Sequence, residues 1–461
     1  MTKEVSVVIL AAGQGTRMRS RLPKVLQPLA GRPLVGHVID TAESLQASKI
    51  CLVYGHGGER VRELFADRDL VWVLQEEQLG TGHAVLQALP ELDTDHTALI
   101  LYGDVPLVRK ETLASLVAAG SDQLAVLTAQ LDDPTGYGRI MRDIDDHVLA
   151  IVEEQDASEE QKALHEINTG MMACPAGLLA QWLKRIAPDN VQSEYYLTDI
   201  IRCAVADDTM VIPVSTDSVA EALGVNDKKQ LAEMERLLRK RTGTALLDHG
   251  VTLVDPDRFD VRGYLTCGSD VYIDINVVVE GRVEFGDDVS IGPNVVIRDT
   301  SIGAGTRIHA NCVIEEAAIG GNCEIGPFAR MRPGVEMSDQ SKLGNFVEVK
   351  KSRIGTGSKV NHLSYIGDTT IGEKVNVGAG TITCNYDGAN KHPTIIGDGA
   401  FIGSGVELVA PVEIGPGATI GAGSTITKSA PSGELAIERG RQKTIKGWTR
   451  PTKPPAEKKG K

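Results

Sequence analysis

The sequence predicts an α/β protein with two architectures in one chain: an N-terminal Rossmann-like domain and a C-terminal left-handed parallel β-helix, joined by a long helix. In the first half, apolar strand-like segments alternate with amphipathic segments. In the second half, apolar residues recur every six positions, and between the halves lies a segment whose apolar residues have helical spacing. At 461 residues the chain also exceeds what one hydrophobic core usually serves. We expect domains at 1–226 and 249–450, a linking helix at 227–248 and a disordered Pro- and Lys-rich tail at 451–461.

The N-terminal half alternates short segments rich in Val, Ile and Leu with segments of helical length. The predicted strands are Val5–Leu10, Lys49–Val53, Leu70–Leu74, Ala98–Leu101 and Leu124–Ala129. Leu34–Leu45 and Glu111–Ala119 have helical length and lie between strands. Because this rhythm is typical of βαβ units, we expect a mostly parallel sheet.

The segment that follows this half predicts one long helix. Asp227–Asp248 carries many charges, and its apolar residues have helical spacing. These apolar residues are Leu231, Met234, Leu237, Leu238 and Ala245.

From about residue 265 onward, apolar residues recur at intervals of six, with occasional shifts of one. The inward positions are Ile302, Ile308 and Ile314, then Ile319, Ile325, Met331, Met337, Leu343 and Val349, then Ile396, Ile402, Leu408, Ile414, Ile420 and Ile426. An α-helix has a period of about 3.6 and a strand a period of about 2, so neither explains this spacing. A coil of three flat faces, with one inward residue per face, does explain it, and this is the hexapeptide β-helix pattern.

The repeat is interrupted once by a polar insertion. Between Val377 and Ile396 the interval is 19 residues. The segment Thr381–His392 is rich in turn-forming residues, so we expect a loop that projects from the prism.

Composition excludes several classes of function. The net charge of −14 argues against nonspecific nucleic-acid binding. The seven cysteines have no metal-ligand spacing and indicate reduced thiols. No apolar stretch reaches transmembrane length. These features predict a cytoplasmic protein without nucleic-acid or membrane partners.

A glycine-containing turn directly follows the first strand, in Leu10-Ala11-Ala12-Gly13-Gln14-Gly15. Backbone N–H groups can approach an anion closely at such a turn, and Arg17 and Lys24 add positive charge for a triphosphate. The spacing matches neither the dinucleotide-binding motif nor the P-loop. A purely structural left-handed turn is the alternative.

Two oxygen-bearing side chains are candidates for binding Mg²⁺. Asp104 closely follows the strand Ala98–Leu101, and ligands of open α/β sheets gather at the carboxyl ends of strands. A carboxylate there suits Mg²⁺ shared with substrate phosphates, whereas a helix N-cap is the alternative. For Asn226, which precedes the linking helix, capping is the simpler interpretation.

A histidine and several cations lie along the β-helix. If Val360 and Ile366 point inward, His362 falls on a turn or an outer face. Imidazole has a pKa suited to accept a proton from an attacking amine. Arg332 and Lys350 could bind a substrate phosphate, and Glu348 is a candidate to orient His362. A solvated surface histidine is the alternative.

The motifs together resemble a known family. Leu10–Met18, Leu22–Leu34, Gln75 with Gly80–His83, Tyr102–Leu107 and Gly136–Ile140 resemble the sugar-1-phosphate nucleotidyltransferases. With the β-helix, nearly the whole chain resembles the bacterial bifunctional N-acetylglucosamine-1-phosphate uridylyltransferase/glucosamine-1-phosphate acetyltransferases. The resemblance implies acetyl transfer from acetyl-CoA to glucosamine 1-phosphate, then uridylyl transfer from UTP to N-acetylglucosamine 1-phosphate, for peptidoglycan and lipopolysaccharide precursors.

The resemblance also implies roles in the N-terminal domain. Leu10, Ala11, Ala12, Gly13 and Lys24 would hold the nucleotide, beside the positive charge already expected from Arg17, and Gln75, Gly80 and Thr81 would read the uracil. Tyr102, Gly103, Gly138, Glu153 and Asn168 would hold the sugar, and Asp104 with Asn226 would bind Mg²⁺. Gln155 stands where a lysine is common in the family.

In the C-terminal domain, the resemblance implies that His362 is the general base. Arg332, Lys350, Tyr365 and Asn376 would bind glucosamine 1-phosphate, and Ala379, Asn385, Tyr386, Ser404, Ala422 and Arg439 would line the acetyl-CoA site. The family also implies a homotrimer with active sites between subunits, and Lys428–Trp448 is long enough to reach a neighbouring subunit. Two alternatives are a β-helix that only regulates or oligomerises, and a wholly non-catalytic scaffold.

Overall fold

The computed structural model describes residues 3–13, 15–55, 57–216 and 218–452. The chain forms two compact units. The first contains the chain up to His249 together with Asp255–Tyr264 and Val279–Gly281; the second contains Gly250–Val254, Leu265–Val278 and the chain from Arg282 onward. Of the predicted disordered tail, residues 453–461 lie outside the described part. Among the described residues, none of the helices combines the length and apolarity needed to cross a membrane.

The first unit is built on a nine-stranded sheet. Its strands and those of a small hairpin are β1 Val5–Leu10, β2 Pro28–Leu29, β3 Arg32–Pro33, β4 Lys49–Gly55, β5 Val71–Gln75, β6 Thr97–Tyr102, β7 Leu124–Gln130, β8 Gly138–Arg142, β9 Val148–Val152, β10 Glu166–Pro175 and β11 Val211–Ser215. Its helices are α1 Leu34–Ser44, α2 Glu59–Leu64, α3 Thr81–Ala88, α4 Lys110–Ala119, α5 Glu159–Lys162, α6 Ala176–Leu183, α7 Ile200–Ala206, α8 Val219–Ala222 and α9 Lys228–Asp248.

The main path of the sheet runs β11-β7-β10-β6-β1-β4-β5. β1 is parallel to β4 and β6, β4 to β5, and β7 to β11, as the sequence predicts. β10 is antiparallel to β6 and β7, and the antiparallel pair β8–β9 joins at its edge. These antiparallel strands were not predicted.

The central strand β1 is buried on both sides, which explains its continuous apolar sequence. Val8 and Leu10 pack into one core, and Val7 and Ile9 pack into another. The parallel strands β1, β4, β5 and β6 have their carboxyl ends at the same edge of the sheet, which is where ligands of open α/β sheets bind.

The predicted linking helix is α9. The Asp227 carboxylate accepts hydrogen bonds from the backbone N–H groups of Lys229 and Gln230, so Asp227 is the N-cap. Met234 and Leu238 are buried in a small core with residues of the first unit, and most of the other helix positions are polar.

The second unit is a parallel β-helix, which confirms the predicted fold class. One ladder of strands comprises Thr252–Leu253, Tyr272–Ile273, Ser290–Ile291, Arg307–Ile308, Glu324–Ile325, Lys342–Asn345, Lys359–His362, Asn376–Val377, Phe401–Ile402, Thr419–Ile420 and Leu435–Ala436. The other ladder begins with the strands Phe259–Cys267 and Val277–Phe285, of which residues 259–264 and Val279–Gly281 are counted in the first unit. It continues with Val296–Arg298, Ser301–Ile302, Val313–Glu315, Ala317–Ile319, Arg330–Met331, Val335–Met337, Glu348–Lys350, Arg353–Ile354, Tyr365–Gly367, Thr369–Ile371, Ile382–Cys384, Thr394–Ile396, Glu407–Val409, Val412–Ile414 and Thr425–Ile426.

The inward residues of the six-residue series are buried, as predicted. Successive coils pair in register at steps of 17 or 18 residues, for example Arg307 with Glu324 and Glu324 with Lys342. Asn376 pairs with Phe401, a longer step that contains the insertion. The projecting loop is shorter than predicted, because Ile382–Cys384 is still a strand and Thr381 and Thr383 are buried.

One corner of the prism is turned by residues in the left-handed conformation, one per coil. They are Asn276, Asn294, Asn311, Phe328, Phe346, Leu363, Gly380, Gly405 and Gly423. Asparagine and glycine adopt this conformation readily, whereas bulky side chains do so at a cost. We call this column the left-handed corner. Its three bulky members lie on consecutive coils and are exposed.

Candidate active sites

The carboxyl-terminal ends of β1, β5 and β6 border a cavity of about 720 Å³ in the first unit. Twelve of the predicted residues line it: Leu10, Ala11, Ala12, Gly13, Arg17, Lys24, Gln75, Gly80, Thr81, Tyr102, Asp104 and Asn226. Val25, Gln78, Ala84, Gly136 and Glu194 line it as well and were not predicted. Of these, Gln78 lies between the predicted Gln75 and Gly80, so a wider reading of that motif would have found it.

Gly13 and Gly15, the two glycines of the turn after β1, are glycine for different structural reasons. A Cβ atom on Gly13 would meet nothing within 4 Å, so this glycine leaves space on the cavity side. Gly15 has a φ of +60°, and a Cβ there would collide with the side chain of Lys24. The structural alternative therefore explains Gly15, while Gly13 keeps the backbone accessible to a ligand.

Two cations and two oxygen-bearing side chains form a compact cluster at one end of the cavity. The Lys24 ammonium donates to Asp104 Oδ2 and, at 3.2 Å, to Asn226 Oδ1. Arg17 Nη2 donates to the same Asn226 oxygen at 3.1 Å. The N-caps of the adjacent helices are Arg109 and Asp227, so capping does not account for Asp104 or Asn226.

The loop between β5 and α3 borders the cavity, and the buried side-chain amide of Gln75 contacts this loop. Gln75 is 2 % exposed, and its Nε2 donates to the Gly80 carbonyl at 3.2 Å and lies 3.1 Å from His83 Nδ1. Gly80 has a φ of +107°, and a Cβ there would lie 2.7 Å from the Tyr195 carbonyl oxygen. The backbone conformation and this close approach both require glycine.

A second group of predicted residues lies together around β8 and β10. Gly138 pairs with Asn168, and a Cβ on Gly138 would lie 3.2 Å from Glu153 Oε2. Thr198 donates to Glu153 Oε1 at 3.0 Å, and burial raises the pKa of the Glu153 carboxyl. The Tyr102 ring lies close to Gly170, two residues after Asn168, and links this group to the cavity.

Gly103 does not line the cavity. Its N–H donates to the Leu10 carbonyl at 2.9 Å and so joins the ends of β1 and β6.

In the second unit, His362 lies at the left-handed corner and is exposed. Its carbonyl accepts from Gly380 N–H at 3.2 Å, the Ala379 carbonyl accepts from Gly405 N–H at 2.7 Å, and the Ser404 carbonyl accepts from Gly423 N–H at 2.8 Å. The predicted positions Ala379, Ser404 and Ala422 therefore form a column on the coils that follow His362. The side chain of Arg439 lies beside Gly421 and Gly423 at the end of this column.

The His362 ring has a different partner from the expected one. Nδ1 of His362 lies 2.8 Å from Asn345 Oδ1. Glu348 instead accepts from Arg332 at 3.0 Å. The expectation that Glu348 orients His362 is therefore not what the structure shows.

A cationic cluster occupies the neighbouring face. The pKa of Lys350 is lowered by its hydrogen-bond contact with the Lys391 amine and by repulsion from Lys391 and Arg332. Asn385 Nδ2 donates to Asp368 Oδ2. A Cβ on Gly367 would lie 2.5 Å from the Tyr365 hydroxyl oxygen and 2.7 Å from Asn385 Nδ2, so this glycine makes room for both. Lys391 was not predicted, because it lies in the insertion, where the repeat gives no position.

The structure does not place every predicted glucosamine-phosphate residue on one face. Tyr365 and Lys350 lie in the ladder that pairs Glu348 with Tyr365. Asn376 pairs with Lys359 and Phe401 in the other ladder, on the opposite side of the left-handed corner.

The projecting loop holds its own shape. Its two ends are joined by the His392 N–H, which donates to the Asn385 carbonyl at 2.8 Å. Next to this contact, Tyr386 and Lys391 form an isolated antiparallel β-bridge. His392 Nε2 lies 2.7 Å from Asp387 Oδ2. Asn385 is buried at the base, whereas the Tyr386 side chain is exposed.

Comparison with known proteins identifies both halves. Residues 7–253 match the domain family described as MobA-like NTP transferase domain, and residues 393–428 match the bacterial transferase hexapeptide family. A solved structure of UDP-glucose pyrophosphorylase complexed with UDP-glucose aligns with 52% of this chain and 99% of its own, at 15% identity and a TM-score of 0.42.

Curated relatives match nearly the full length of the chain. The protein called "Bifunctional protein GlmU" from Azoarcus sp. strain BH72 is 57% identical and covers 97% of this chain and 100% of its own. Its namesake from Aromatoleum aromaticum is 58% identical over 97% and 99% of the two chains, and that from Alkalilimnicola ehrlichii is 54% identical over 100% and 99%. With a nucleotidyltransferase domain, hexapeptide repeats and these relatives, the chain belongs to the family of bifunctional GlmU proteins and is a bifunctional transferase of UDP-N-acetylglucosamine synthesis.

Proposed function

We propose that the cavity of the first unit binds UTP and N-acetylglucosamine 1-phosphate and carries out uridylyl transfer. The observation that carries this proposal is the convergence of Gly13, Gln75 and the Lys24–Asp104 pair on one cavity. The Leu10–Gly13 backbone, Arg17 and Lys24 hold the triphosphate. Gln75, Gly80 and Thr81 read the uracil, and Tyr102, Gly138, Glu153 and Asn168 hold the sugar, with Gly103 bracing the strand ends.

We further propose that Asp104 and Asn226 bind Mg²⁺ with the substrate phosphates. Both offer oxygen ligands, which Mg²⁺ prefers. Their fit is supported by a cation of the chain itself, because the Lys24 ammonium bridges the two oxygens. When bound, Mg²⁺ would neutralise phosphate charge during the displacement.

The uridylyl transfer needs no general base. An oxygen of the sugar phosphate is already anionic when it attacks the α-phosphorus of UTP; the new P–O bond forms while the bond to pyrophosphate breaks. The protein must overcome the repulsion between the two anions and align them. Arg17 and Lys24 supply positive charge, and the cavity walls fix the direction of attack.

We propose that the second unit transfers the acetyl group, with His362 as the general base. The amine of glucosamine 1-phosphate attacks the thioester carbonyl of acetyl-CoA, and His362 Nε2 accepts the amine proton. The C–S bond then breaks, and the sulfur of coenzyme A receives a proton as it leaves. Ala379, Ser404, Ala422, Arg439, Asn385 and Tyr386 line the acetyl-CoA site along the column that follows His362.

The substrate phosphate binds at the cationic cluster in this proposal. Arg332, Lys350 and Lys391 supply the charge, and Tyr365 adds a hydroxyl group. The hydrogen-bond contact with Lys391 and the repulsion from Lys391 and Arg332 lower the pKa of Lys350, and a bound phosphate dianion would offset that repulsion. Such a cluster favours a doubly charged ligand.

We propose that the acetyl-transfer site is completed by assembly into a homotrimer. Phe328 and Phe346 occupy left-handed positions, are 48% and 53% exposed, and stack with ring centroids 5.2 Å apart. Neighbouring coils use Asn294 and Asn311 at this corner. Exposed phenylalanines in an unfavourable conformation support a contact with another subunit, and a partner could also supply Asn376 to the split phosphate site.

The proposed location is the cytoplasm. All seven cysteines are free thiols, as expected in a reducing compartment.

The two proposed reactions, uridylyl transfer and acetyl transfer, are tested on the full-length protein with two assays. Pyrophosphate release from UTP and N-acetylglucosamine 1-phosphate reports the first reaction, and thiol release from acetyl-CoA and glucosamine 1-phosphate reports the second. We expect both activities. Absence of thiol release would favour a β-helix that serves only in regulation or assembly, and failure to bind UTP would favour the scaffold alternative.

A further inference from the structure

Asn345 and His362 each directly precede a member of the left-handed corner, Phe346 and Leu363 respectively. The strands Lys342–Asn345 and Lys359–His362 are parallel, and their register pairs Leu343 with Val360 and Asn345 with His362. In-register parallel coils place side chains of equivalent positions next to each other. The Asn345 side-chain amide therefore lies on the coil directly before the coil of His362. The backbone carbonyl of Asn345 accepts a hydrogen bond from Leu363 N–H at 3.1 Å.

The contact between the two side chains fixes the state of the ring. The Asn345 Oδ1 lies 2.8 Å from His362 Nδ1, and an amide oxygen only accepts hydrogen bonds. The ring must then donate from Nδ1–H, which leaves the lone pair on Nε2. This is the tautomer that can accept a proton from a substrate amine.

The carboxylate that was expected to orient the ring lies in the other strand ladder and has another partner. Glu348 accepts from Arg332 at 3.0 Å, and both side chains are about 40% exposed. A neutral amide orients the imidazole without stabilising its protonated form, whereas a carboxylate would do both.

We propose that Asn345 is the positioning residue of the acetyl-transfer site, which holds His362 in the Nδ1–H tautomer with Nε2 directed at the substrate amine. This inference rests on the proposed role of His362 as general base. Asn345 itself does not touch substrate in this scheme, and it acts only through the ring.

Two substitutions separate positioning from a general structural role. Asn345→Ala removes the acceptor, and we expect kcat for acetyl transfer to fall about 10–100-fold, as is typical for residues that orient a functional histidine, with little change in KM. Asn345→Asp keeps the acceptor and adds charge. It should stabilise the protonated ring and move the acid limb of the kcat/KM profile to higher pH, while activity on the alkaline side stays close to that of the original protein.

The matched control is Lys342→Ala on the same strand. The Lys342 ammonium contacts Glu324 at 2.8 Å, so its loss perturbs the strand without touching the ring. Uridylyl transfer and the assembly state, measured in each variant, report folding. A fall in acetyl transfer that is equal in all three variants, with no movement of the acid limb in Asn345→Asp, would overturn the inference.

His362→Ala distinguishes this failure from failure of the proposed function. If that variant retains full acetyl transfer, the general-base proposal fails and the role of Asn345 falls with it. If it loses acetyl transfer while both Asn345 variants behave like Lys342→Ala, only the positioning role is refuted.

Discussion

The two sites of this chain are built by opposite strategies. In the first unit, the ends of parallel strands converge on a cavity, so charged groups from distant parts of the sequence meet within one compact unit. In the second unit, each coil repeats the coil before it, so functional side chains form columns and outward faces along a prism. A sheet with loops at its edge makes a concave site by itself, whereas a prism presents convex surfaces.

The chemistry differs in the same way. Uridylyl transfer uses a nucleophile that is already charged, so an array of cations in a cavity is sufficient. Acetyl transfer uses a neutral amine and requires a base, and the proposed base, His362, lies at an exposed corner. The proposed phosphate residues lie on both sides of that corner, and for this reason we propose that the second site depends on assembly.

The strongest test of this comparison removes the base. We expect His362→Ala to lower acetyl transfer by a factor of about 10²–10⁴, the usual contribution of a general base, and to leave uridylyl transfer unchanged. Thiol release and pyrophosphate release measure the two effects. His309→Ala is the matched control, since His309 is another β-helix histidine and contacts Glu324 at 3.0 Å. A variant at His362 with full thiol release would contradict the assignment.

The second test removes one charge from the cavity. Asp104→Asn should lower uridylyl transfer by about 10²–10³, because a partly buried charge in the cavity is lost, and should spare acetyl transfer. Titration with Mn²⁺, followed by its electron paramagnetic resonance signal, should show weaker metal binding in the presence of UTP. Asp122→Asn is the control, because Asp122 is an exposed carboxylate of the same unit paired with Lys3 at 3.0 Å. Unchanged pyrophosphate release would refute the Mg²⁺ proposal.

The extent to which sequence predicts each site follows from the same contrast. The period of six identifies inward residues such as Ile308 and Ile402, because every coil has the same environment. It does not give the contact of His362 with Asn345, because steps of 17 and 18 residues both occur without a regular order, and only the folded register shows which side chains are adjacent. Glu348 was the wrong expectation because it lies beyond the corner, on a different face.

In the first unit, motifs identify the strand ends but not the segments that fold over them. Glu194 lines the cavity from a loop without a repeating pattern. The antiparallel β10 was missed because Asn168, Thr169 and Gly170 interrupt its apolar residues, so that its sequence does not resemble a buried strand although eight of its ten residues are buried.

The third test changes assembly without disturbing the coil. Phe346→Asn, combined with Phe328→Asn, replaces exposed rings at left-handed positions with a residue that favours that conformation. We expect the isolated coil to keep or gain stability, and self-association to weaken by about tenfold or more for each ring lost. Sedimentation should show smaller species, and thiol release should fall with them while pyrophosphate release is retained.

The control for this test is Tyr272→Ser, which removes an aromatic side chain that is 39% exposed on another part of the β-helix. An assembled double variant with full thiol release would show that these rings do not hold subunits together.

The smallest expected effect is at Glu153, where stability and binding oppose each other. Burial raises the pKa of this carboxyl, so the fold disfavours its charged form. Both states are neutral below the pKa of the unfolded chain, and the cost of ionisation appears as the pH rises through the folded pKa. Glu153→Gln should therefore raise the melting temperature by about 2 °C at pH 8, the shift that a gain near 1 kcal/mol produces in a domain of this size, with no gain at pH 4.

The same substitution should raise the KM for N-acetylglucosamine 1-phosphate by about tenfold, because a hydrogen bond to a charged acceptor becomes a neutral one. Glu159→Gln, in an exposed pair with Lys162, should change neither quantity. An equal gain in stability at both pH values would mean that the charge of Glu153 is not its source. If the gain is confined to high pH, the proposed sugar site of the first unit keeps a destabilising charge at Glu153, whereas the proposed base of the β-helix, His362, lies at an exposed position where no such conflict arises.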